Sequence, residues 1–200
     1  MADTYNNIED LVKQDEKLID IWGRKDAYFE KKYEQSVLRV VSDYGIGASE
    51  NTTAKGKVLG AGYEAYIMAF FIGLYSDKRL PLSEDNKKLG QPINKWGNLD
   101  SKKFRKAYSG LRSYIFIALV AKTDIDWIAV DKGDIKVESA ISALLETMDE
   151  YANYGFSVME EKLKVDPAYF FSNRAFLDIF LQLTDKTSEN NSDKEGIEDL

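Results

Sequence analysis

Residues 58–75, with the sequence VLGAGYEAYIMAFFIGLY, form an apolar stretch that carries a single charged residue, Glu64. Its 18 residues approach the length of a membrane-spanning helix. A carboxylate at the centre of a bilayer costs roughly 2.5 kcal/mol or more, and the uninterrupted part, residues 65–75, is too short to cross. The stretch therefore predicts a buried core helix of a protein that does not span a membrane.

Apolar residues recur at helical spacing on both sides of this stretch. Capping side chains such as Asn7 and the pair Asp166-Pro167 mark helix starts, and Gly23 marks a helix end. The predicted helices cover residues 7–23, 26–44, 57–76, about 100–122, 135–163 and 166–185.

Two short segments have an ambiguous pattern. Residues 37–41 are rich in β-branched side chains, as in strands, but the helical spacing before them favours a helix. Residues 127–130 are apolar enough for a strand, which would have no predicted partner. The connection over residues 80–98 exceeds the usual loop length, which indicates a functional loop or a hidden short helix.

Composition is that of an ordinary globular protein, with 44% hydrophobic and 30% charged residues among 200. Residues 187–200, TSENNSDKEGIEDL, are acidic and have almost nothing to bury. We therefore expect an all-α fold: a single-domain bundle of about six helices over residues 1–185, followed by a disordered acidic tail over residues 186–200.

The chain contains no cysteine and no histidine. This excludes disulfides, thiolate nucleophiles, Cys/His zinc sites, Ser-His-Asp triads and imidazole bases. The first nine residues carry two acids and no apolar run, unlike a secretory signal or a basic transit peptide. We expect a cytoplasmic protein with no cofactor, no metal and no catalytic residue, although one carboxylate leaves an enzymatic alternative open.

That carboxylate is Glu64, which lies within an apolar helix. Such a group points to solvent, pairs with a cation, or is buried with a raised pKa as in catalytic acids. Exposure or pairing is favoured, because glycoside hydrolysis, for example, normally needs a second positioned carboxylate. A carboxylate-based hydrolase that uses Glu64 is one alternative function.

Two motif-like features have simpler explanations. The Lys55-Gly56-Lys57 sequence resembles a phosphate-binding loop, but the required glycine and hydroxyl positions are occupied by Asn51 and Val58. A carboxylate cluster does not match the spacing of a calcium loop, and capping and turn roles explain two of its members, Asp131 and Asp134, without a metal. The cluster consists of Asp124, Asp126, Asp131 and Asp134.

The distribution of charge is the feature that points most directly to function. Residues 86–122 contain nine basic residues and one acid, a net charge of +8, in a chain of net charge −7. The basic residues predicted to bind a partner or an anion are Lys87, Lys88, Lys95, Lys102, Lys103, Arg105, Lys106 and Arg112. Either the acidic remainder of the protein neutralises them, or they bind an external anion such as nucleic acid or an acidic protein.

The favoured function is a non-enzymatic helical adaptor or accessory subunit of a multi-component bacterial assembly. It would bind a protein partner through the basic face of residues 87–112. The alternative within binding is direct nucleic-acid contact, as an accessory protein of a DNA- or RNA-processing or defence system. The low pI of about 4.8 argues against this alternative, since nucleic-acid-binding domains are usually basic.

Overall fold

The computed structural model describes residues 17–45, 59–97 and 110–183. This part of the chain is mostly helical, which confirms the predicted helical class. Its helices are α1 (Leu18–Gly23), α2 (Arg39–Val41), α3 (Gly62–Tyr75), α4 (Leu111–Lys122), α5 (Trp127–Asp131), α6 (Val137–Val165) and α7 (residues 175–183). A π-helix (Glu34–Leu38) precedes α2, and 3-10 turns cover Ile93–Lys95 and Tyr169–Phe171.

A small sheet departs from the all-α expectation. Strand β1 (Tyr28–Glu30) pairs antiparallel with β2 (Asn86–Lys88), and Phe29 lies opposite Lys87. The predicted helix over residues 26–44 is therefore wrong in its first part, although residues 32–41 are helical. The long connection over residues 80–98 contains β2 and the 3-10 turn Ile93–Lys95. The expected short helix is therefore present as a 3-10 turn, and a strand accompanies it.

Several predicted boundaries agree with the structure. Helix α1 ends at Gly23, α4 ends at Lys122, and α6 spans 29 residues close to the predicted helix over 135–163. Residues 127–130 begin a helix and not a strand, because the Asp126 carboxylate accepts hydrogen bonds from the backbone N–H groups of Ile128 and Ala129.

The last predicted helix begins later than its capping sequence suggested. The Asp166 carboxylate accepts a hydrogen bond from the Ala168 N–H, but this turn leads into a 3-10 turn, and α7 begins at residue 175. The predicted start of the first helix at Asn7, the start of the fourth near residue 100, the Lys55-Gly56-Lys57 sequence and the acidic tail over residues 186–200 lie outside the described residues.

The described residues group into two compact units. Unit 1 comprises those within residues 1–27 and 90–147, and unit 2 comprises those within 28–89 and 148–200. Unit 1 has a core to which Trp22, Ile93, Trp96, Ile115 and Leu119 contribute. The larger buried side chains of unit 2 include Phe29, Tyr33, Tyr66, Phe70 and Phe156.

Helix α4 offers a matched pair of isoleucines for testing its orientation. The side chain of Ile115 is 1% exposed, whereas that of Ile117 is 63% exposed. Ile115→Val should lower the free energy of unfolding by about 1 kcal/mol, because a buried methyl group is lost. Ile117→Val should change it by less than about 0.5 kcal/mol. Urea denaturation of both variants measures the difference, and equal losses would contradict this orientation of α4.

Within the described part of the chain, no helix combines the length and the apolar character that a membrane span requires. Helix α3, which contains most of the apolar stretch over residues 58–75, has 14 residues. The predicted core position of this stretch is confirmed by the full burial of Tyr66, Phe70 and Ile72.

Candidate functional site

Four of the eight predicted basic site residues lie among the described residues. Lys87 and Lys88 are in β2 of unit 2, and Lys95 and Arg112 are in unit 1. The others, Lys102, Lys103, Arg105 and Lys106, lie outside the described residues.

Lys87 is neutralised within the protein. Its ammonium group donates to Glu34 Oε2 at 2.6 Å, and Arg39 Nη2 lies 2.9 Å from Oε1 of the same carboxylate. Hydrogen bonds from Lys87 and Arg39 lower the pKa of Glu34, and the Glu34 hydrogen bond raises that of Lys87. At this position the structure favours internal neutralisation over binding of an external anion. The neighbouring Lys88 is exposed, and its ammonium nitrogen lies 5.9 Å from the Tyr28 ring centroid.

The two described basic residues of unit 1 differ in their surroundings. Lys95 is exposed at the end of the 3-10 turn Ile93–Lys95. Arg112 is half-buried in the first turn of α4, and its Nη1 donates to the Asn94 carbonyl oxygen at 2.7 Å. This bond holds the guanidinium beside the backbone of the residue that precedes Lys95.

Helix α4 also exposes two large apolar side chains that the sequence analysis did not select. Tyr114 is 70% exposed and Ile117 is 63% exposed, and Ala121 follows at helical spacing on the same exposed face. Tyrosine is enriched in protein interfaces, and exposed apolar groups that share one face are typical of binding surfaces. The signal was present in the sequence, because Tyr114 and Ile117 fall outside the stripe formed by Ile115 and Leu119.

Glu64 has a structural role at the start of α3. It is half-buried in the first turn, and its Oε2 accepts a hydrogen bond from the Gly60 N–H at 2.7 Å. A glutamate that reaches back from the third helical position to satisfy a free backbone N–H is a common helix start. This hydrogen bond gives the Glu64 carboxylate a structural role at the start of α3.

The carboxylate with the most perturbed environment is Asp149 in α6, which sequence reasoning missed. It accepts hydrogen bonds from the Tyr28 N–H at 3.0 Å and from the Tyr66 hydroxyl. Burial raises the pKa of Asp149 to about 7, against the opposing effect of these two hydrogen bonds. Burial also raises the pKa of Tyr66, and the neighbouring Asp149 adds to this effect.

A second buried carboxylate, Glu30 in β1, is stabilised in its charged form. Its burial acts to raise its pKa, but the ion pair with Lys32 and hydrogen bonds from Ser83 N–H and Asn153 Nδ2 outweigh this, and the pKa is lowered. Asn153 Nδ2 also donates to the carbonyl oxygens of Leu80 and Pro81. These contacts join β1, α6 and the segment before β2.

The buried polar residues of unit 2 thus act as structural connections. Asp149 and Asn153 are four residues apart and lie next to the apolar stripe of Met148 and Ala152 on α6. The sequence signal was therefore a pair of polar residues at helical spacing on a face that must be buried. Their backbone and side-chain partners come from β1, α3 and the segment around residue 80, which periodicity within α6 does not identify.

Metal ligation has no support in the described part of the chain. Among its residues, no group of three or more acidic side chains is placed to hold a metal ion. The carboxylate of Asp126 caps α5, whereas the sequence suggests capping and turn roles for Asp131 and Asp134.

Comparison with protein-family models, with curated proteins and with solved structures finds no match to this chain.

Proposed function

We propose that this chain is a non-enzymatic helical adaptor or accessory subunit that binds an acidic protein partner in a multi-component bacterial assembly. In this proposal the protein is cytoplasmic, and its fold is a bundle of about six helices. The binding surface comprises the part of the basic segment that belongs to unit 1, within residues 90–112, and the exposed face of α4, which carries Tyr114 and Ile117. We call this combination the α4 surface.

The observation that carries the proposal is the exposed pair Tyr114 and Ile117 on a helix that directly follows a strongly basic segment. Exposed apolar side chains supply the desolvated centre of an interface, and surrounding lysines accelerate association with an acidic partner. The net charge of +8 over residues 86–122 favours an acidic partner over a neutral one.

Unit 2 has a second exposed apolar pair, Leu177 and Leu181 on α7. Residues 184–200, which follow α7, contain six acids and two lysines, so this pair is followed by an acidic segment and not by a basic one. Leu177 and Leu181 therefore provide a matched control for the apolar contribution of the α4 surface.

Affinity purification from the native host, with quantitative mass spectrometry, tests the proposal. Tyr114→Ala/Ile117→Ala and Lys102→Glu/Lys103→Glu should each reduce recovery of one specific acidic protein at least tenfold, because interface anchors often contribute about 2 kcal/mol or more. Thermal melts of Tyr114→Ala/Ile117→Ala should stay within a few degrees of the wild-type value, since substitutions at exposed residues rarely change stability by more than about 0.5 kcal/mol.

Two control variants separate this effect from general changes in charge or hydrophobicity. Lys132→Glu/Lys136→Glu alters the net charge equally, at exposed residues outside the basic segment, and Leu177→Ala/Leu181→Ala removes the other apolar pair. Both should recover the partner normally. Equal recovery by all variants would contradict the proposal, and loss of the partner after nuclease treatment would favour the nucleic-acid alternative.

A further inference from the structure

Unit 1 contains a cavity of about 450 Å³. Helix α1 and the residue after it contribute Ile19, Asp20, Trp22 and Arg24 to its lining, and Asn94 and Arg112 line it from two other segments. This volume falls within the range of pockets that hold small organic ligands, which are mostly apolar with a few placed polar groups.

Arg112 is a cation without a counter-ion in the described part of the chain. Its Nη1 donates to the Asn94 carbonyl oxygen at 2.7 Å, and its Nε is buried without a hydrogen-bond acceptor. A half-buried guanidinium fixed at one nitrogen favours an oxyanion, which can accept two parallel hydrogen bonds from the group.

Trp22 gives the cavity an aromatic wall with an unused donor. Its side chain is fully buried, and its ring lies 5.6 Å from that of Phe116. Its indole Nε1 has no hydrogen-bond acceptor among the described residues. A buried indole N–H usually has a partner, so this nitrogen is an unsatisfied donor behind the cavity surface.

The charges of the lining indicate the class of ligand. Arg24 and Arg112 contribute two positive charges, and Asp20 contributes one negative charge. The lining therefore has a net charge of +1, which a single carboxylate neutralises. Ile19, which is half-buried, provides apolar surface for the uncharged part of the ligand.

We propose that this cavity binds a small organic carboxylate, with Arg112 as the residue that pairs with the carboxylate group and Ile19 in contact with its apolar body. The two proposed sites differ in their ligands: the cavity binds a small molecule, whereas the α4 surface binds a protein. Lys95, an exposed lysine of the same unit, offers a charge-matched control outside the cavity lining.

Ligand-observed NMR and calorimetry with benzoate and its neutral isostere benzamide test the proposal on the wild-type protein. Benzoate should bind with a Kd of about 1 mM or tighter, as expected for a fragment of its size. Benzamide should bind at least tenfold more weakly, because it lacks the charge. Equal binding of the two probes, or no binding of benzoate at millimolar concentrations, would overturn the proposal without any variant being needed.

Variants assign the binding to the cavity. Arg112→Gln keeps a donor for the Asn94 carbonyl and should weaken benzoate binding at least tenfold, whereas Lys95→Gln should leave it unchanged. Binding of phenyl phosphate tests whether the cavity prefers a carboxylate or a phosphate. Phenyl phosphate should bind more weakly than benzoate. Tighter binding of phenyl phosphate, or an unchanged benzoate affinity in a folded Arg112→Gln variant, would contradict the assignment.

Discussion

In the wild-type protein, Asp149 should contribute a free energy of unfolding that falls by about 4 kcal/mol between pH 4 and pH 7. Replacing Asp149 by Asn is expected to abolish this pH-dependent contribution. Burial raises the pKa of Asp149 from its ordinary value of 3.8 to about 7, so the folded protein holds this proton more tightly than the unfolded chain. Each pKa unit corresponds to about 1.4 kcal/mol. The contribution is fully present below pH 4 and is lost as the pH rises to 7.

The measurement is the difference in the free energy of unfolding between wild type and Asp149→Asn, from urea denaturation at several pH values. This difference isolates Asp149, because Glu30, Glu34 and the other carboxylates titrate in both proteins. Wild type should gain stability relative to the variant as the pH falls from 7 to 4. A difference that is constant over this range would show that Asp149 is not buried as described.

A second variant tests the partner of this carboxylate. The Tyr66 hydroxyl donates to Asp149 and lowers its pKa, although burial has the larger, opposite effect. Tyr66→Phe removes this donor, so the pH-dependent change in stability should extend to higher pH than in wild type. A shift toward lower pH would contradict the proposed contact.

Replacing Gly155 by Ala is expected to destabilise the protein by about 3 kcal/mol or more. Helices α3 and α6 approach each other so closely that a Cβ at Gly155 would lie 1.8 Å from the Ala69 carbonyl oxygen. A Cβ at Gly73 would lie 2.1 Å from the Tyr151 carbonyl oxygen. Both obstacles are backbone atoms, so the helices must separate, and overpacking of this kind outweighs the gain of about 1 kcal/mol in helix propensity.

Gly110→Ala is the matched control for this variant. A Cβ there would lie 3.7 Å from the nearest atom of the Tyr114 ring, which is an ordinary contact. We expect Gly110→Ala to change stability by less than about 1 kcal/mol in urea denaturation. A Gly155→Ala variant as stable as wild type would mean that α3 and α6 do not pack at this distance.

The close approach at Gly155 shows how far local sequence reasoning extends. Its position inside a long helical pattern indicates a kink or a close contact, and the structure shows the close contact. The pattern within α6 could not identify Ala69 as the opposing residue, because the partner lies more than eighty positions away in the chain.

In the candidate sites, too, some features follow from the local sequence and others depend on contacts between distant segments. The amino-acid sequence alone reveals the basic segment and its net charge, and this charge predicts a surface that binds a partner. The pairing of Lys87 with Glu34 depends on the β1–β2 register, since β2 brings Lys87 alongside a segment more than fifty residues earlier in the chain. Likewise, the cavity beside Arg112 requires α1, the segment around Asn94 and α4 to meet, which no single stretch of sequence encodes.

The sequence by itself determined the helical character, the ends of α1 and α4, the core position of α3 and the exclusion of histidine and cysteine chemistry. These properties depend on residue type and on spacing within one turn or a few turns of helix. Only the tertiary structure decided that Tyr28–Glu30 is a strand, that Asp149 is buried and that Arg112 lines a cavity. Strand pairing and burial depend on partners distant in sequence, and such contacts override local helical preference.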